Sequence, residues 1–232
     1  MKTTLILSLV IPWFITFTAI GQEKQEIIVK AGTKIIDYFP LESRFRYHTF
    51  TPGKVFFKDG TYTGSRLNYN ILYGEVQFIQ KNDTLSIANT RDIKFVTIES
   101  DTFYFDRGYV EIVLDMGKSK LGLKQYVKMV DKQTQAAYGM TSSVSATDSY
   151  NSIPSSSGYY SLTVNEDISV RPVKDYYLGS EKEGFQLIRK KLIFQLFPES
   201  EDEIKQYLKN NEVNFNKEED LMKLCMFLKD LG

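Results

Sequence analysis

The sequence predicts an α+β fold: an antiparallel β-meander curled into a roll or open barrel, followed by three short C-terminal helices. Three observations carry this expectation. Polar and apolar side chains alternate with a period of two from about Gln25 to Val173. Turn residues interrupt these runs at hairpin spacing, and the period becomes helical from about Ile188.

The chain begins with a segment that is not expected to join the fold. Lys2 gives a positive start, Leu5 to Ala19 is uncharged and mostly apolar, and Ala19-Ile20-Gly21 puts small residues where a signal peptidase cuts. The apolar run falls short of the ~20 residues of a spanning helix before the polar series from Gln22 to Glu26. Residues 1–21 therefore read as a cleavable secretory signal, and the mature protein as periplasmic, secreted or on the cell surface. Position 22 is Gln and not Cys, which argues against a lipoprotein.

Within the β-rich region, expected over residues 22–180, Glu75-Val76-Gln77-Phe78 alternates cleanly. Val110, Ile112 and Leu114 share one face of a second run, with Tyr109 and Glu111 opposite. Leu121, Leu123, Val127 and Met129 oppose Lys124, Tyr126 and Lys128. Such patterns mark strands with one buried face. Asp59-Gly60 between Lys54–Lys58 and Thr61–Thr63 is a hairpin signal. Lys81-Asn82-Asp83, Asp106-Arg107-Gly108 and Gly117 to Lys120 read the same way. The connections are too short for crossover helices, so neighbouring strands are expected to be antiparallel.

The alternation fails between about 134 and 158, where Ser, Thr and Gly dominate. This composition predicts a mobile loop, followed by a strand from Tyr159 to Val164. Tyr138, Tyr150, Tyr159 and Tyr160 stand among small polar residues, a composition shared with antibody contact loops, and are candidate partner-binding residues.

Residues 181–232 read as a helical segment packed on the β-rich part. Ile188, Leu192 and Leu196 recur four apart and stop at Phe197-Pro198. Ser200 with Glu203 is a capping-box pair opening a helix that carries Ile204, Tyr207 and Leu208; Asn216 with Glu219 repeats it. The last helix aligns Leu221, Leu224, Cys225, Leu228 and Leu231.

Composition narrows the function. The chain has 29 basic and 29 acidic residues, and loss of Lys2 with the signal leaves one acidic residue in excess. No basic field gathers phosphates, so nucleic acid is not an expected partner. Cys225 is the single cysteine, so no intramolecular disulfide forms, and its place in an apolar stripe suits a small buried hydrophobe. His48 is the single histidine, and it reads as a surface strand residue without the companions of a zinc site or a nucleophile pair. Phosphate-binding glycine loops, a nucleophile elbow and calcium loops are absent from the sequence. No cofactor and no metal site is called for.

Glu75, Asp101, Asp106 and Glu111 lie on or beside strands and are the acids available to a carboxylate-dependent, glycosidase-like hydrolase. Asn82-Asp83-Thr84 fits an N-glycosylation pattern, and Asp83-Thr84-Leu85 is similar to Asp-Thr-aliphatic O-glycosylation sites of some Gram-negative periplasms, although a hairpin turn explains the same letters.

Gly53 to Gly60, Leu67-Asn68-Tyr69-Asn70, Gly74 to Ile79 and Asp83-Thr84-Leu85 resemble a group of uncharacterised exported β-rich proteins of Gram-negative bacteria. Those proteins carry a helical tail similar to the region from Leu196-Phe197-Pro198 onward. The resemblance spans most of Gly53 to Leu231 outside the serine-rich stretch and implies no activity or functional residue. The expected function is therefore an exported, non-enzymatic envelope protein with a binding or structural role. Its partner would be a protein or a glycan, bound by the sheet face or the Ser/Tyr stretch. A periplasmic hydrolase is the alternative. An outer-membrane barrel is disfavoured, because the chain ends in amphipathic helices.

Overall fold

The computed structural model describes residues 26–81, 83–130 and 163–231. The segment expected to be a signal (residues 1–21), Asn82, the loop expected at about 134–158 and the four tyrosines Tyr138, Tyr150, Tyr159 and Tyr160 lie outside the described residues.

The chain opens with β1 (Ile27–Val29), a 3₁₀ turn at Ile35–Tyr38 and the single-turn helix α1 (Leu41–Arg44). A meander follows: β2 (Thr51–Phe57), β3 (Tyr62–Asn70), β4 (Glu75–Gln80), β5 (Asp83–Ser86), β6 (Ile93–Ile98), β7 (Asp101–Phe105), β8 (Tyr109–Asp115) and β9 (Lys120–Val130). The long β10 (Ile168–Ser180) and short β11 (Gly184–Leu187) lead into α2 (Lys190–Leu196), α3 (Glu201–Asn210) and α4 (Glu218–Leu231). All pairings are antiparallel, in one 11-stranded sheet ordered β1-β10-β9-β8-β7-β6-β2-β3-β4-β5, with β11 also on β10. The ends of this order, β1 and β5, do not pair with each other, so the sheet is open. Among the described residues, no helix is long and apolar enough to cross a membrane.

The sheet curls around one face. Inward residues of β2 to β8, among them Val55, Leu67, Tyr69, Val76, Val96 and Phe103, form one cluster. Val127 and Val170, further along the same face, pack with Val29, Ile35, Phe39 and the β3–β4 turn residues Leu72 and Tyr73. Leu121, Leu123, Tyr176 and Leu178 complete it, covered by Ile193, Ile204, Leu221, Leu224 and Leu228 of the three C-terminal helices. The curl brings β3 across to β9, where the Tyr69 hydroxyl donates to the Gln125 carbonyl at 2.6 Å. The Tyr176 hydroxyl ties β10 to α4 by donating to Glu218 at 2.8 Å.

Several local expectations change. The Asp59-Gly60 hairpin is a three-residue loop: Phe57 N–H bonds the Thr61 carbonyl, and Gly60 takes φ 91°. The register therefore sets Phe56, and not Phe57, opposite Tyr62. On β8, Tyr109 and Glu111 are not on a solvated face. They point inward with 3% and 6% exposure, while Val110 lies beneath Phe185 on the outer face. Lys124 is also buried, because the β7–β8 turn closes over it: its ammonium donates to the Asp106 carbonyl at 2.7 Å and lies 4.5 Å from the Tyr177 ring centroid. Alternation read as half-buried fails here because this part of the sheet is covered on both sides.

The helical reading holds with shifted starts. Ile188 still bonds the sheet through Tyr176, and α2 begins only at Lys190. Pro198–Ser200 forms a 3₁₀ turn, so α3 starts at Glu201, and Ser200 makes no side-chain cap bond. Ahead of α4, the Asp220 carboxylate accepts from Asn214 N–H at 3.0 Å. The strand expected from Tyr159 is described only from Thr163, which forms a bridge with Lys34. Cys225 is fully buried, and burial pushes its thiol up to about 12. His48 is exposed, but in the bend before β2 and not on a strand.

Candidate functional site: the mouth of the roll and the outer sheet face

Two places concentrate polar or aromatic side chains: the mouth of the roll, and the outer face of β3-β2-β6-β7.

At the mouth, the segment after α1 runs beside the end of β3. Arg46 N–H bonds the Tyr69 carbonyl at 2.9 Å, and the Asn68 side chain accepts from Tyr47 N–H and donates to the Tyr47 carbonyl. This backbone clamp aims Arg46 and Tyr47 into the curl. The Arg46 guanidinium contacts Glu111 at 3.1 Å and Asp101 at 3.8 Å, and the Tyr47 hydroxyl donates to Asp101 at 2.6 Å. The bond to Glu111 raises the guanidinium pKa further above its ordinary value. Burial, and next the bond to Asp101, pushes the Tyr47 phenol well above its own. Of the four acids singled out from the sequence, the structure thus brings Asp101 and Glu111 to one arginine.

The other two lie elsewhere. Asp106 accepts from Phe185 N–H at 2.7 Å and pairs with Arg107. Glu75 accepts from the Ser86 hydroxyl at 2.7 Å, at the end of a chain that runs through Gln77 to Asn70. Burial raises the Glu75 carboxyl pKa, and the Ser86 bond opposes that rise. Deeper in the roll, Tyr109 keeps a buried hydroxyl that finds no partner among the described residues. Among those residues, no group of three or more His, Cys, Asp or Glu is placed to hold a metal ion.

The outer face is built differently. The registers of β3-β2, β2-β6 and β6-β7 place Tyr62 opposite Phe56, Phe56 opposite Phe95, and Phe95 opposite Tyr104. Their ring centroids are 5.7, 4.5 and 5.8 Å apart, and Tyr104 continues to Phe185 of β11 at 5.9 Å. Cross-strand ring pairs of this kind contribute roughly 0.5–1.5 kcal/mol each beyond their buried area. Exposure rises along the row, from buried Phe185 through half-buried Tyr104, Phe95 and Phe56 to Tyr62 at 62%. A second row beside it is Gly64, Lys54, Thr97 and Thr102, and a third begins with the pair Arg66 and Pro52. None of these outward positions carries a carboxylate. The Lys54 ammonium lies 5.3 Å from the Tyr62 ring centroid, and Arg66 is held by the Phe50 carbonyl.

At its Phe185 end the row opens into a cleft of about 550 Å³ between the β6–β7 edge and the β10–β11 turn, lined among others by Lys58, Lys94, Tyr104, Glu181 and Phe185. Lys94 and Glu181 face each other there at 3.8 Å.

Compared with protein-family models, curated proteins and solved structures, the chain matches none. Sequence reasoning named the sheet face in general and missed the ring row. Its signal was present in the alternation of Lys54, Phe56, Phe95 and Tyr104, but it became a row only through register.

Proposed function

We propose that this chain is an exported, non-enzymatic protein of the cell envelope that binds a partner through the outward face of β3-β2-β6-β7. Export is supported by the signal-like segment of residues 1–21. The binding role is supported by one observation above others: in a chain with equal numbers of acids and bases, the outward strand positions named above gather rings, hydroxyls and cations, and none of those positions is an acid. Aromatic residues and Arg are enriched at recognition surfaces, and acids are depleted there.

The hydrolase alternative has less support. An acid pair at work in glycoside cleavage must leave one carboxyl free to give up a proton and the other free to act on the sugar or on a water. Asp101 and Glu111 are instead held on Arg46 and Tyr47.

The test is capture from envelope extracts by the mature protein, compared with two variants. Tyr62→Ala with Lys54→Ala strips the outward face, and both residues are exposed, so the fold persists. Arg46→Met alters the mouth. Loss of the captured partner with the first variant and its retention with the second is the expected outcome. The reverse pattern contradicts the proposal.

A further inference from the structure

Resting on that reading of the outer face, we infer that its ligand is an extended acidic polysaccharide, bound through carboxylate groups along the β3-β2-β6-β7 rows.

The ring geometry selects the chemistry. Phe56 and Phe95 stack at 4.5 Å with planes 26° apart, so each ring covers a face of the other. Phe56 and Tyr62 are tilted by 35°, and Lys54 lies over Tyr62. Neutral sugars and nucleobases bind aromatic residues by lying flat on open ring faces, and in this row those faces are largely taken. Such stacking leaves ring edges to point outward, and edges carry the positive part of the aromatic quadrupole. Ring edges, the ammonium of Lys54, the guanidinium of Arg66 and the hydroxyls of Thr97 and Thr102 all favour the same thing, an oxygen-rich anion.

Repetition across strands favours a polymer over a small ion. Lys54, Thr97 and Thr102 sit on three successive strands, each in register with the next, so the donors form a line perpendicular to the strands. The line has no carboxylate to repel an acidic chain. The nearby acids are at the rim: Asp59 is engaged by Thr61, Glu181 faces Lys94, and exposed Glu99 follows β6 in the β6–β7 turn. An anionic membrane is a poorer fit, because insertion needs several protruding apolar side chains, and on these rows only Tyr62 is a largely exposed ring.

The experiment measures binding of the full mature chain to polygalacturonate, to dextran of similar length and to phosphatidylglycerol vesicles, at low and at physiological salt. Binding to polygalacturonate alone, weakened by salt, is expected. Lys54→Glu should reduce it by about tenfold, and Lys54→Glu with Arg66→Gln further, with unchanged far-ultraviolet circular dichroism. Equal or stronger binding to dextran or vesicles overturns the inference, as does a charge-reversed variant that binds polygalacturonate like the wild type, or no binding at all. If the Tyr62 and Lys54 substitutions still abolish capture from envelope extracts in any of those cases, the ligand class is wrong and the surface right. If capture also survives them, both fail.

Discussion

Glu75 shows how one side chain reports its surroundings. It begins β4, is partly buried, and ends the polar chain from Asn70 through Gln77 and Ser86. Burial raises its folded-state pKa, so between its unfolded and folded values the native state holds the proton more tightly. Stability then falls as pH rises through that window, and the penalty is fully present above the folded value. Glu75→Gln keeps an acceptor for Ser86 and removes the charge. The variant should be more stable than wild type at neutral pH in urea titrations, and the difference should vanish below the unfolded value of about 4.3. A variant less stable at pH 7 would show that the charge itself is used. The sequence marked Glu75 as one of several strand acids and gave no sign of its burial, because burial depends on Ser86 arriving from β5.

Glu111 and Lys124 make the same point for legibility. Each was expected on a solvated strand face, and each is buried, one by Arg46 from the segment after α1 and the other by the Asp106-Arg107 turn. Their coverings come from elsewhere in the chain, which a period of two cannot report.

Among elements, the β10–β11 hairpin is the one most sensitive to a single atom. It folds so that Phe185 lies over Gly122 of β9, beside Val110, and it is fastened by Phe185 N–H to Asp106. A Cβ at Gly122 would collide with Val110 Cγ1 and touch the Phe185 ring at 3.5 Å. Gly122→Ala should therefore destabilise the protein by about 1–3 kcal/mol, with amide exchange rising first at Phe185 to Leu187. Unchanged exchange there would mean that the hairpin does not rest on β9. β11 was hidden in the sequence, since its four residues sit between a turn and a helical pattern that begins at once. The C-terminal helices were readable because their stripes are long, though their caps were not: Ser200 spends itself in a 3₁₀ turn. The hairpin at Asp59-Gly60 was visible too, but its loop length was not. One residue of loop decides whether Phe56 or Phe57 faces Tyr62, and with it whether the outer ring row exists.

At the scale of the whole molecule, the two faces of the sheet divide the labour. The inner face is filled from end to end by apolar clusters and closed by the three C-terminal helices, with Arg46 satisfying the acids at its mouth. The face to which we assign recognition is the outer one, covered by the β10–β11 hairpin at one end and progressively open towards Tyr62. The fold class followed from periodicity and turn spacing. The division between faces did not, because it depends on which strands are wrapped on both sides.

Hydrogen–deuterium exchange of the protein without residues 1–21, alone and with the envelope partner that the proposal calls for, tests this division most directly. Protection should rise in β2, β3, β6 and β7 and stay unchanged around Arg46, Asp101 and Glu111. Protection centred on that acid pair, with the outer strands exchanging as in the free protein, would contradict it.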